Sequence, residues 1–95
     1  MPDVEHQPDA HRFIVATEAG EAELTYTLAT GLIVFTHTGV PKAAEGQGIG
    51  KSLAEAGLAY AREEGLRVLP LCPFVKSYMH RHPETHDLLT KGFRV

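Results

Sequence analysis

Residues 45–53 read EGQGIGKSL, with three alternate glycines directly before a long amphipathic pattern, and this stretch is the most informative part of the chain. Glycine lets the backbone approach a ligand closely and adopt a positive φ without steric cost. The first N–H groups of a helix that begins here have no partner within the helix and lie at the positive end of its dipole. Such a turn can receive a phosphate or pyrophosphate. The same letters also fit a glycine-rich turn that only reverses the chain.

Spacing excludes the two most familiar phosphate loops. A Walker A loop needs glycine five positions before the Gly50-Lys51-Ser52 triplet, where this chain has Glu45. The dinucleotide fingerprint needs G-x-G-x-x-G within a larger βαβ unit, whereas these glycines follow G-x-G-x-G.

Composition indicates one ordinary globular domain. The chain has 95 residues, 43% of them hydrophobic and 22% charged. A chain of this size buries roughly 60–65% of its extended surface, so a substrate pocket must share a modest core. The net charge of −3 and the pI of about 6.0 argue against a nucleic-acid partner, because such a surface needs a basic face.

The single cysteine and the lack of long apolar runs bear on location. Cys72 cannot form an intramolecular disulfide, which fits a reducing compartment. No apolar run approaches the ~20 residues of a membrane span, and the N-terminus lacks the pattern of a signal peptide. We therefore expect a cytoplasmic protein with no membrane partner.

The N-terminal half has the pattern of an antiparallel sheet. Residues 1–10 carry two prolines and three acidic residues among few large apolar groups, which predicts a flexible terminus before a single domain at 11–95. Strands are predicted at 13–17, 22–28 and 32–38, joined by short loops.

The pattern then changes to a helical period. Residues 48–64 place apolar and charged side chains on opposite faces, which predicts one helix, and a fourth strand follows at 67–71. With the strand at 32–38 these form a βαβ crossover with parallel strands. Residues 74–81, with Pro73 suited to a first helical turn, predict a C-terminal helix. The predicted fold class is therefore α+β.

Pro70 is unusual for a buried strand, because it cannot donate to the hydrogen-bond ladder. We interpret it as the point where the strands at 32–38 and 67–71 splay apart and open a cleft beside the glycine turn. A plain edge strand with a tolerated proline explains the same letters.

Five short stretches together resemble a known family. They are RF at 12–13, AELTY at 22–26, THTGVP at 36–41, GQGIG at 46–50 and LPLCPFV at 69–75. In combination they resemble the small, single-domain branch of the GNAT acyl-CoA N-acyltransferases, over residues 12–89. The resemblance implies a GNAT-like α+β fold, acetyl-CoA as co-substrate and an amine acceptor.

The resemblance also implies where the cofactor lies. The turn at 45–50 is similar to the acyl-CoA pyrophosphate loop, in which Gly48 and Gly50 match and Glu45 stands where Arg or Gln is usual. A carboxylate there should weaken pyrophosphate binding. Pantetheine is then expected in the gap between the splayed strands. The implied cofactor-binding residues are Val40, Glu45, Gly46, Gln47, Gly48, Ile49, Gly50, Lys51, Ser52 and Pro73.

Acetyl transfer needs a deprotonated acceptor, donors for the oxyanion and a proton for the departing thiolate. By resemblance, Tyr78 lies where many GNAT enzymes protonate the CoA sulfur, although a packing tyrosine is also plausible. Cys72 lies near the expected thioester and could accept the acetyl group, line the pocket, or be a small buried hydrophobe. His37 is the best placed general base, with a structural role as the alternative.

The remaining histidines do not predict a metal site. His80 and His82 are two positions apart and so point to different faces of a helix, and Pro83 prevents continuation to His86. No cysteine pair or H-E-x-x-H spacing supports zinc.

Two functional hypotheses follow. The first is an acetyl-CoA-binding N-acetyltransferase whose amine acceptor, a small molecule or a protein lysine or N-terminus, is unidentified. The second is a non-catalytic or weakly catalytic acyl-CoA-binding or sensor module, which the carboxylate of Glu45 keeps open.

Overall fold

The computed structural model describes residues 3–95. Its strands are β1 (Glu5–Gln7), β2 (Arg12–Thr17), β3 (Gly20–Ala29), β4 (Leu32–Gly39) and β5 (Arg67–Pro70). Its α-helices are α1 (Ile49–Glu63) and α2 (Pro73–Arg81). Short 3-10 helices lie at Pro8–Ala10, Lys42–Ala44 and Pro83–Leu88.

All five strands form one sheet in the order β1-β2-β3-β4-β5. Neighbours from β1 to β4 pair antiparallel, and β5 pairs parallel to β4. The helix α1 makes the crossover between the two parallel strands, as such a connection requires. The predicted α+β class, with antiparallel strands leading into a βαβ crossover and a C-terminal helix, is confirmed.

The expectation that the ordered fold begins near His11 is wrong. Glu5–Gln7 pairs with β2 as the edge strand of the sheet. The ring of His6 stacks on Phe13 with centroids 4.1 Å apart, and its Nε2 lies 2.6 Å from the Tyr26 hydroxyl. One aromatic side chain therefore anchors a segment whose composition is otherwise polar. The first two residues of the predicted flexible terminus lie outside the described residues.

The core lies between α1 and one face of the sheet. Over residues 22–26 of β3 the alternation is regular, since Ala22, Leu24 and Tyr26 are all buried. A Cβ added at Gly57 of α1 would lie 2.8 Å from Cε1 of Phe35, so the helix backbone rests directly on β4. Glycine is needed at that crossing because a side chain would push the helix away.

No helix within residues 3–95 has both the length and the apolar character required of a membrane-spanning segment.

Candidate functional site

The parallel strands β4 and β5 separate where the sequence predicts. Their pairing ends with Phe35 opposite Pro70. The N–H groups of Leu71 and Cys72 then both donate to the Phe35 carbonyl, at 3.0 and 2.9 Å. The chain after β5 therefore turns away, while β4 continues to Gly39 along an edge that β5 no longer covers. This confirms the splayed strands.

Two side chains meet across the gap that this separation leaves. The hydroxyl Oγ1 of Thr38, near the end of β4, lies 2.8 Å from Sγ of Cys72. Cys72 is only 1% exposed, so Thr38 shields the thiol. Beyond the last backbone pair, side chains rather than the ladder hold the two segments together.

The glycine turn leaves the N-terminus of α1 without a side-chain cap. Gly46 and Gly48 have φ values of 84° and 76°, which favour glycine, and Gly48 is the N-cap residue. The first four N–H groups of a helix, here those of residues 48–51, have no intrahelical acceptor. The N–H of Ser52 already donates to the Gly48 carbonyl at 3.0 Å, so only the Ser52 hydroxyl is left for a ligand.

These free N–H groups border a pocket of about 530 Å³, which we call the loop pocket. It is lined by Thr38, Gly39, Val40, Ala44, Glu45, Gly46, Gly48, Ile49, Gly50, Lys51 and Phe74. Its volume is within the range of about 300–1,000 Å³ that small-molecule sites occupy. The structure therefore brings most of the predicted cofactor-binding residues to one concavity.

Three of the predicted cofactor-binding residues do not line the loop pocket. Gln47 lines a second concavity of about 970 Å³, which we call the hairpin groove. The groove is lined by Asp3, Val15, Ala16, Thr17, Glu18, Ala19, Ala43, Ala44, Gln47 and Ile49. Two carboxylates, Asp3 and Glu18, also line this groove. Ser52 and Pro73 line neither concavity.

Phe74, at the start of α2, is the main lining residue that sequence reasoning missed. Its ring rests on the first turn of α1, because a Cβ added at Gly50 would lie 2.6 Å from Cζ of Phe74. The side chain is 38% exposed although it is large and apolar. In the sequence Phe74 belongs to the apolar pattern of α2, so nothing there distinguishes a pocket wall from a core residue.

The loop pocket carries one side chain of each charge. Lys51, in the first turn of α1, and Glu45, just before the glycines, are both exposed lining residues. The lysine favours an anion here, and the carboxylate opposes it.

His37 lies on the face of the sheet opposite α1. The register shifts between Thr25 and Tyr26 of β3, which pair with His37 and Phe35, so Thr36 is an extra, bulged residue on β4. Since Leu24 and Tyr26 point into the core, Thr25 and His37 point the other way. The predicted base is therefore exposed, on the outer face of the strand that borders the loop pocket.

Tyr78 is buried on α2, and its ring stacks on His82 with centroids 3.9 Å apart. Burial raises the pKa of Tyr78, and the carboxylates of Glu55 and Glu84 raise that pKa further. The hydroxyl is therefore protonated at neutral pH. Neither Tyr78 nor His37 is among the described residues that line the loop pocket.

The histidines near the C-terminus all face backbone carbonyls. His82 Nδ1 donates to the Tyr78 carbonyl at 2.7 Å, and His86 Nε2 donates to the Met79 carbonyl at 2.6 Å. Within residues 3–95 no group of three His, Cys, Asp or Glu side chains is placed to hold a metal ion.

Known proteins share both this sequence pattern and this architecture. The model of the family described as GCN5-related N-acetyl-transferase matches residues 12–88. The chain belongs to the GCN5-related N-acetyltransferase family. It is accordingly an N-acetyltransferase by family, and members of this family generally use acetyl-CoA.

Two relatives and one solved structure resemble the chain over most of its length. Protein NATD1 of Gallus gallus is 35% identical over 83 residues, which cover 84% of this chain and 76% of that protein. Protein NATD1 of Homo sapiens has the same identity over the same length and is covered to 74%. The solution structure of a GCN5-like protein from Staphylococcus aureus superposes with a TM-score of 0.74 at 27% identity, covering 93% of this chain and 87% of that one.

Proposed function

We propose that the protein binds acetyl-CoA in the loop pocket and transfers the acetyl group to an amine. The observation that carries this proposal is the uncapped N-terminus of α1, which opens onto a pocket leading to the gap between β4 and β5. The N–H groups of residues 48–51 would bind the pyrophosphate, with Lys51 as a nearby cation. The pantetheine arm would follow the edge of β4 that β5 leaves uncovered.

Acetyl transfer in this arrangement forms a bond between the amine nitrogen and the acetyl carbon and breaks the carbon–sulfur bond. The amine must lose a proton, and the departing thiolate must gain one. We assign the first role to His37, for an amine that arrives on the outer face of the sheet. The general-acid role of Tyr78 stays a prediction: the hydroxyl carries the needed proton at neutral pH, but its raised pKa makes it a weaker acid and its ring lies outside the loop pocket lining.

Cys72 fits the role of a wall of the gap better than that of a free nucleophile. Its thiol is buried and in contact with the Thr38 hydroxyl. Acetylation of Cys72 would first require Thr38 to turn aside.

A second candidate function is a module that binds acyl-CoA without efficient transfer. The carboxylate of Glu45 in the loop pocket and the positions of Tyr78 and His37 outside its lining favour it. The two candidates share the coenzyme site and differ only in turnover.

Calorimetry with coenzyme A tests the site, and a matched pair of glycine variants sharpens the test. Gly48 and Gly31 both have positive φ, 76° and 70°, and neither would bring a Cβ within 4 Å of another atom. An alanine at either position is therefore strained to a similar degree, by roughly 1–2 kcal/mol. Only Gly48→Ala should weaken coenzyme binding, because Gly31 lies in the turn between β3 and β4. Equal affinity in both variants, or no binding by the unaltered protein, refutes the site.

Turnover distinguishes an enzyme from a binding module. Acetyl-CoA would be incubated with a polyamine, free amino acids and a lysine peptide, and CoA release measured for the protein and for Tyr78→Phe. Release that depends on the acceptor supports the enzyme, and tight binding without such release supports the module. A Tyr78→Phe variant that binds normally but releases CoA more slowly supports the general-acid role; unchanged release refutes it.

A further inference from the structure

The contact between Thr38 and Cys72 lies where β4 borders the loop pocket. Thr38 lines the pocket, and Cys72 stands directly behind it at 2.8 Å. Behind Cys72 the two strands are joined by backbone hydrogen bonds at Phe35, so the gap does not continue into the sheet.

The proposed function sets the direction in which an acyl-CoA would lie along this pocket. If the proposed function holds, the pyrophosphate lies at residues 48–51 and the arm runs toward the gap between β4 and β5. The acyl group is the far end of that arm, so it reaches the wall formed by Thr38. Anything longer than the group that fits must displace Thr38 or Cys72, both of which are held by packing and by their contact with each other.

We propose that Thr38 and Cys72 together form the end wall of the acyl subsite and restrict the donor to short acyl groups, with acetyl preferred over propionyl and butyryl. This inference rests on the proposed function and adds a specificity-determining pair to it. In an apolar pocket one additional methylene changes discrimination by about 10- to 200-fold. We therefore expect the protein to prefer acetyl-CoA over propionyl-CoA by at least about 10-fold.

The test measures the dissociation constants of CoA, acetyl-CoA, propionyl-CoA and butyryl-CoA by calorimetry, which needs no acceptor and no turnover. Thr38→Ala and Cys72→Ala each remove atoms from the wall and should reduce the acetyl-over-propionyl preference to within about 3-fold, since the extra methylene then has space. Thr38→Ser and Cys72→Ser keep the polar contact and most of the volume, so they should keep the preference.

Val40→Ala is the matched control. Val40 lines the same pocket but is separated from the gap by Gly39. Its truncation should change the affinities for all four coenzymes by a similar factor and leave their ratio unchanged. Because the wall has two members, failure of one alanine variant to fold leaves the other to decide, and thermal melts establish which variants are folded.

The outcomes separate this inference from the proposed function. Absence of binding by CoA itself refutes the proposed site and the subsite with it. Normal CoA binding with less than 3-fold discrimination by the unaltered protein overturns the end wall and leaves the coenzyme site standing. An acetyl-over-propionyl preference that survives in every folded alanine variant of Thr38 and Cys72 also overturns the end wall and leaves the coenzyme site standing.

Discussion

The contact between Phe74 and Gly50 predicts that one added methyl group weakens coenzyme binding without unfolding the protein. In Gly50→Ala the new Cβ would lie 2.6 Å from Cζ of Phe74, which is closer than a Cβ approaches a non-bonded atom in folded proteins. The backbone of α1 is fixed by the sheet beneath it, whereas the ring is the far end of a side chain that is 38% exposed. The ring must therefore move.

The effect on stability should be small because two terms oppose each other. Replacing glycine by alanine in a helix stabilises it by up to about 1 kcal/mol. Holding an aromatic side chain away from its preferred rotamer costs about 0.5–1.5 kcal/mol. We expect the free energy of unfolding of Gly50→Ala to stay within about 1 kcal/mol of the original.

Gly50→Ala should weaken CoA binding measurably, although it changes the free energy of unfolding little. A displaced ring narrows the loop pocket, and a ligand that pushes the ring back must overcome the strain of about 0.5–1.5 kcal/mol. This strain raises the dissociation constant by about 2- to 13-fold. The assay is calorimetry with CoA on Gly50→Ala, on Phe74→Ala and on the double variant. Since truncation of Phe74 removes the clash, the double variant should bind as Phe74→Ala does.

Gly57→Ala supplies the control for a methyl group added elsewhere on α1. Its Cβ would lie 2.8 Å from Phe35 and 3.0 Å from Leu24, both fully buried, so overpacking should cost about 1–3 kcal/mol. The melting temperature should fall while CoA affinity of the folded protein stays unchanged. The reasoning fails if Gly50→Ala weakens binding equally with and without Phe74, or if Gly57→Ala weakens it as much.

Three further predictions concern charge. Glu45→Gln should tighten CoA binding, and Lys51→Gln should weaken it. Raising the salt concentration in calorimetry should diminish both changes in affinity, because both side chains are exposed. Changes of the opposite sign would contradict the assigned pyrophosphate position. Burial holds the pKa of His6 below its ordinary value of 6.5, so the unfolded chain binds the proton more readily. The stability that His6 contributes is complete above pH 6.5 and is lost as the pH falls through the lower folded pKa. Thermal melts between pH 7.5 and 5 should show this loss, and His6→Phe, which keeps an aromatic ring on Phe13, should reduce it; an equal pH dependence in both proteins would refute the role.

The architecture followed from patterns that lie close together in the sequence. Alternation on β3 and the helical period of α1 predicted both elements within a few residues of their observed ends. Pro70 marked the end of strand pairing, because a residue without an N–H cannot continue a ladder. The edge strand β1 was missed, since its anchor is the contact of His6 with Phe13 and Tyr26, and these come from other strands.

The candidate site was only partly predictable for the same reason. The glycine spacing identified the turn and its free N–H groups, which are set by local backbone conformation. It did not indicate that Gln47 faces the hairpin groove while Gly48 faces the loop pocket. Nor did the position of His37 near the end of β4 reveal that it points away from the core, because the bulge opposite Thr25 decides that direction.

Apart from the edge strand β1, the main strands and helices, their order and the uncapped helix start follow from the amino-acid sequence, since propensity, period and glycine conformation act over a few neighbouring residues. The contact of Thr38 with Cys72, 34 positions away, and that of Phe74 with Gly50 depend on the folded chain. Those two contacts require the separation of β4 and β5 and the packing of α2 against α1. Such long-range geometry is fixed by the whole core at once, so no single stretch of the chain encodes it.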